Sequence, residues 1–158
     1  MEETKRTPAG IALTNLSLDL FRLNSRMLAA GDRLVAGLGL TSARWQILGA
    51  IVEADRPQPV AWLARDLGAN RQNVQRIVND LHKEKLVTFK RNPHHRRARL
   101  VVLTDKGRQT FDAAMRLQAP WFNNLSKGLL VEDIETTHKV IRMLRHKLEG
   151  NADNAEQS

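Results

Sequence analysis

Mainly α-helical with one small β-hairpin is the fold class the sequence predicts, and three observations predict it. Leu, Val, Ile and Ala recur at three- and four-residue intervals, Tyr is absent and aromatic residues make up only 4%, which suits packed helices and not stacked sheets. Two short β-prone runs, 86–91 and 99–103, stand in mid-chain on either side of a basic turn. With 158 residues and 42% hydrophobic content, the chain fits one domain with an ample core.

In chain order, Ile11, Leu16, Leu20, Phe21, Leu23, Leu28, Leu34, Val35 and Leu38 give a helix from Pro8 to about Gly37 with more apolar surface than one stripe requires. Such a helix has two faces to bury. Thr41 is an N-cap for a second helix, in which Trp45, Leu48, Ile51 and Val52 repeat until Asp55-Arg56-Pro57 stops it. Gln58–Val60 has room only for a short strand or lead-in. A brief helix over Val60–Leu67 buries Val60, Leu63, Ala64 and Leu67 and closes at Gly68. The next helix starts at the N-cap Asn70 and runs to about Lys85 on the stripe Val74, Ile77, Val78 and Leu81. Its other face is Arg71, Gln72, Gln75, Arg76 and Asn79. After the hairpin, Thr104 caps a long helix through Phe111, Met115 and Leu117 that Pro120 is expected to kink or divide. A last helix, Val131–Leu148, begins with Glu132 and Asp133, ends with Arg145, His146 and Lys147, and is expected to stop at Gly150. Residues 1–8 and the polar tail 151–158 are expected to be disordered.

Helix, tight turn, helix, hairpin is the winged helix–turn–helix order, in which the second helix enters the major groove and the hairpin reaches backbone or minor groove. The charge agrees. The chain carries +8 with a pI near 10.6, and between Arg65 and Leu100 ten basic residues against three acidic ones account for +7 of it. A field confined to one helix and one hairpin tip points to a polyanion, double-stranded DNA above all. The flanking helices have apolar surface that a small winged core cannot cover, so they are expected to pack together and onto a second copy.

Three runs make the resemblance specific: Leu40-Thr41-Ser42-Ala43-Arg44-Trp45-Gln46-Ile47-Leu48, Asn70-Arg71-Gln72-Asn73-Val74, and Arg91-Asn92-Pro93-His94-His95-Arg96-Arg97 followed by Leu103-Thr104-Asp105-Lys106-Gly107. The chain resembles the MarR family of bacterial transcriptional regulators from about Ile11 to Leu148. The resemblance implies one domain over residues 9–150, with a winged core at about 41–104 and dimerisation helices at about 9–38 and 105–148. It implies a homodimeric repressor on a pseudo-palindromic operator. Position by position, it places Gln72, Asn73, Gln75 and Arg76 in the major groove and the wing arginine Arg97 in the minor groove. Arg96 and Arg99, which flank Arg97, are expected to contact the minor groove with it, and Arg65, Asn70, Arg71 and Lys90 are the expected phosphate contacts. It also implies a small aromatic or anionic effector, for which Met27, Trp45, Phe111 and Met115 are candidate pocket residues as well as plain core residues. Two positions depart from the family pattern: His95 stands where an aspartate usually orients the wing arginine, and Lys85 where a glycine usually precedes the wing.

Catalysis is not expected, because no nucleophile–base set, paired carboxylates or phosphate-binding glycine loop is present, and Gly37-x-Gly39 lacks the third glycine. No cofactor is expected. His82, His94, His95, His138 and His146 contain no i,i+4 pair with a third ligand, so no metal is expected either. With no cysteine, no apolar leader in the opening residues and no long apolar run, the expectation is a cytoplasmic protein with no membrane partner. The alternative reading is a protein-interaction module on the same fold, which the +7 segment argues against.

Overall fold

The helices start where short polar side chains accept from unpaired backbone N–H groups. In the computed structural model, which describes residues 5–155 and the side chains of 5–150, Thr7 caps α1 (Pro8–Val35), accepting from the Gly10 N–H at 3.0 Å. Thr41 caps α2 (Ser42–Glu53) through the Arg44 N–H, and Asn70 caps α4 (Arg71–Lys83) through the Asn73 N–H. Between them, α3 (Val60–Leu67) closes on Gly68 at φ 60°, a left-handed cap that glycine adopts without strain. The flexible start expected over residues 1–8 is thus corrected at its inner end, where a threonine cap and a proline at the first helical position nucleate α1. Residues 1–4 and 156–158 lie outside the described residues.

A three-stranded antiparallel sheet has the order β1-β3-β2, with β1 at Gln58–Pro59, β2 at Val87–Lys90 and β3 at Leu100–Leu103. Val87 pairs with Leu103 and Lys90 with Leu100, while Gln58 pairs with Val101 on the other edge. Leu86, Arg91 and Arg99 fall just outside the strands, each of which is shorter than its β-prone run. Leu48, Leu63, Val74, Val78, Leu81, Val87 and Val101, all essentially inaccessible, form the core with Val35 and Ala114. The stripe predicted for α4, Val74, Ile77, Val78 and Leu81, is its buried face. This presents the opposite face of α4 to solvent.

Lys85 lies between α4 and β2 at φ 62°, the one non-glycine residue with positive φ among the described residues. Its carbonyl accepts from Thr104 Oγ1 at 2.6 Å, which holds a conformation that costs an L-residue roughly 1–2 kcal/mol. Lys85→Gly should therefore stabilise the fold by ~0.5–1 kcal/mol once the extra backbone freedom of unfolded glycine is subtracted. Thermal unfolding reads this as a rise in Tm, and an unchanged or lower Tm would refute the strain.

By contacts the chain forms two compact units, Met1–Ala119 and Pro120–Ser158, where one domain was expected. Helical contacts are local in sequence, so the C-terminal segment is a unit of its own. At Pro120, where a kink or a division is expected, the helix α5 (Asp105–Leu125) is not divided but runs through, since a proline removes one backbone bond while the turns on either side keep theirs. One expectation is corrected outright: α6 (Val131–Ala155) continues past Gly150 into the segment expected to be disordered, because one glycine costs only about 1 kcal/mol in a helix. Arg145, His146 and Lys147 therefore stand inside α6 and not in its last turn. No single helix among the described residues is long and apolar enough to cross a membrane.

Candidate nucleic-acid interface

Packing decides which side chains of α4 are available. With Val74, Ile77 and Val78 buried, Arg71, Gln72, Asn73, Arg76 and Asn79 are exposed and Gln75 is half-buried. Arg76 Nη2 donates to Asn73 Oδ1 at 2.7 Å, and Gln75 Nε2 donates to Asn79 Oδ1 at 2.9 Å. The four candidate base-reading residues thus lie in the first two turns of α4, two of them already bonded to each other. Gln72, Asn73 and Arg76 are exposed, and amide and guanidinium groups of this kind are the donors that purine N7 and O6 atoms accept from. Arg65, Asn70, Arg71 and Lys90 are exposed as well.

The wing carries the second group. Arg96 and Arg97 are exposed on the tip, where the Ala98 N–H closes a turn on the His95 carbonyl at 3.1 Å. Neither forms an ion pair among the described residues. Asn92, at the start of the tip, braces the wing backbone. Its side chain is 8% exposed, donates from Nδ2 to the Ala98 carbonyl at 3.0 Å and accepts the His94 N–H on Oδ1 at 3.0 Å. In the sequence Asn92 reads only as a loop residue; the signal for this role is an Asn-Pro at the start of the tip, which marks a turn whose side chain bonds its own backbone. Arg99 is set apart from its neighbours, its guanidinium carbon 4.2 Å above the centre of the Phe89 ring.

Two contacts outside the reading surface hold it. Arg44 on α2 reaches the far end of α4, donating from Nη1 to Glu84 Oε1 at 2.8 Å and to the Gly39 carbonyl at 3.2 Å, with Asp80 at 4.0 Å. At the base of the wing, Thr104 Oγ1 accepts the Gly107 N–H and donates to the Lys85 and Leu86 carbonyls, while Lys106 Nζ donates to the Glu84 carbonyl. The Leu-Thr-x-x-Gly run is therefore a latch that fastens α5 onto the segment between α4 and β2. Arg44 was singled out only as part of a motif, since its partners lie about forty positions away.

The candidate effector residues divide. Trp45 and Phe111 are half-buried against the core, Met27 is half-buried on α1, and Met115 is 38% exposed. Among the described residues no cluster of three His, Asp or Glu is placed to hold a metal ion.

The family model described as MarR family matches residues 38–98, which run from the segment between α1 and α2 through the helix–turn–helix to the wing tip. The chain belongs to the MarR family. It is accordingly a DNA-binding transcriptional regulator and not an enzyme. An uncharacterised protein of Mycobacterium tuberculosis is 33% identical over 132 residues, spanning 84% of this chain and 91% of its own length. The transcriptional activatory protein BadR of Rhodopseudomonas palustris is 27% identical over 79% of this chain and 74% of its own. Among solved MarR-like structures, CouR of Rhodococcus jostii RHA1 bound to p-coumaroyl-CoA superposes with a TM-score of 0.73 at 19% identity, covering 82% of this chain and 90% of that one. The transcriptional repressor CouR bound to a 23-mer DNA duplex gives 0.73 at 24% identity over 89% and 99%. These likenesses carry the mainly helical fold with its three-stranded wing.

Proposed function

We propose that this MarR protein is a homodimeric repressor that binds a pseudo-palindromic operator and is released by a small aromatic or anionic effector. The observation that carries the reading is the exposed face of α4, with Arg76 and Asn73 already joined. In this reading Gln72, Asn73, Gln75 and Arg76 read the major groove, Arg96 and Arg97 enter the minor groove, and Arg65, Asn70, Arg71 and Lys90 hold phosphates. Such a regulator acts in the cytoplasm. Selecting bound duplexes from a genomic pool, then measuring mobility shifts at two salt concentrations, tests it: an enriched inverted repeat supports the reading, and binding without sequence preference refutes it. A reporter behind that site decides the sign of regulation, with rising output upon expression counting against a repressor.

The dimer has its own support. In the N-terminal unit Ile11, Leu18, Phe21 and Leu23 are about half exposed or more, and in the C-terminal unit Leu129, Leu130, Val131, Met143 and Leu148 are. Each unit leaves large side chains in water that a second copy would cover. The expected result is a dimer mass by light scattering at micromolar concentration, together with a footprint whose half-site centres lie roughly 34–36 Å apart. A monomer under those conditions removes the homodimer from the proposal. For the effector, p-coumaroyl-CoA, the compound named with CouR, and simpler aromatic carboxylates are the first probes, scored by release of the selected duplex; release by none of them refutes this part.

A further inference from the structure

Three elements meet at Phe89. Its ring, on β2, is half-buried; the Arg99 guanidinium from the foot of β3 lies 4.2 Å above its centre, and the His82 ring from the last turn of α4 lies 5.0 Å away, tilted by 50°. Helix α4 and the wing thus meet through the Phe89 ring, with a cation over its face and the tilted His82 ring beside it. Arg96 and Arg97, three and two positions earlier, have no such contact among the described residues and stand on the tip. The geometry points to a division of labour among the wing arginines: Arg99 is a positioning residue that sets the pitch of the wing against α4 through Phe89 and His82, while Arg96 and Arg97 meet the DNA. This deepens the proposed reading and rests on the wing touching DNA at all.

Planarity separates this role from a phosphate contact. A lysine at position 99 keeps the charge and still reaches a phosphate, but loses the flat, weakly hydrated group that stacks on the ring. A residue that contacts phosphate also releases counterions, so removing it lowers the salt slope of binding by about one unit, whereas removing a positioning residue leaves the slope alone. The test uses the full chain and a duplex selected from a random pool. Arg99→Ala and Arg99→Lys should weaken binding by a similar factor, about two- to fivefold for the loss of an exposed cation–π contact, with the slope unchanged. Phe89→Leu, which removes no charge, should reproduce that loss, and Arg99→Ala in the Phe89→Leu background should add little. Arg97→Ala should instead lower the slope. Rescue by Arg99→Lys, or a slope lowered by Arg99→Ala, overturns the assignment of Arg99. If Phe89→Leu impairs folding, the comparison of lysine with alanine at the exposed position 99 still decides. An unchanged slope in Arg97→Ala would count against the wing reading itself, independently of Arg99.

Discussion

Gly107→Ala should cost ~3 kcal/mol or more of folding stability, a larger effect than any other single methyl addition considered for this chain. A Cβ at position 107 would come within 1.9 Å of the Leu86 carbonyl oxygen and 2.9 Å of its carbon. That obstacle is backbone in a buried residue, and it cannot swing aside as a side-chain tip would. Helix α5 would have to lift away, and the lift acts on the latch described above: the Leu86 carbonyl accepts from both the Thr104 N–H and Thr104 Oγ1, each at 3.1 Å. Overpacking costs ~1–3 kcal/mol and the loss of the threonine cap about 1 kcal/mol more. Urea unfolding of the variant checks this, and a change within 0.5 kcal/mol would mean that the close approach is not a constraint on the native chain. Thr104→Ala removes the cap without the clash and should cost less than Gly107→Ala; the reverse order would place the main cost on the hydrogen bonds.

What could be read in the sequence and what could not divide along one line. The caps at Thr41 and Asn70, the close at Gly68 and the buried stripe of α4 were all legible, because each depends on residues within a turn or two of one another. The polar face of α4 followed from its stripe. Arg44 was not legible as a clamp, since its partners Asp80 and Glu84 lie on another helix and any exposed acid would have served as well on paper. Asn92 was missed for a different reason: its bonds are local, but an asparagine before a proline reads as an ordinary turn residue and gives no sign that its side chain ties the two ends of the tip together. The wing arginines were read as one cluster because they are adjacent in sequence, whereas the ring of Phe89 separates Arg99 from the other two. The continuation of α6 past Gly150 shows the converse error, where a residue that often ends a helix was given more weight than its cost of about 1 kcal/mol warrants.

The largest effect on DNA binding should come from Arg76→Ala. A bidentate arginine–guanine pair is worth ~1–3 kcal/mol of discrimination, and the proposed homodimer would use it twice, so the loss on a symmetric site should approach ~2–6 kcal/mol if the half-sites act independently. The free structure adds a second reason. Arg76 donates to Asn73 Oδ1 at 2.7 Å, which fixes the two side chains against each other. Removing Arg76 thus releases Asn73 as well, and two reading groups lose their orientation with one substitution. Arg76→Lys keeps the charge but not the fork that reaches both the base and Asn73, so it should recover nonspecific affinity without recovering preference. The measurement is the ratio of affinities for the selected duplex and a scrambled one of equal length, at fixed salt. That ratio should collapse in both variants, while affinity for the scrambled duplex falls only in Arg76→Ala. Equal loss on both duplexes would make Arg76 a phosphate contact and move base reading to Gln72 and Gln75, the remaining amides on the same face of α4.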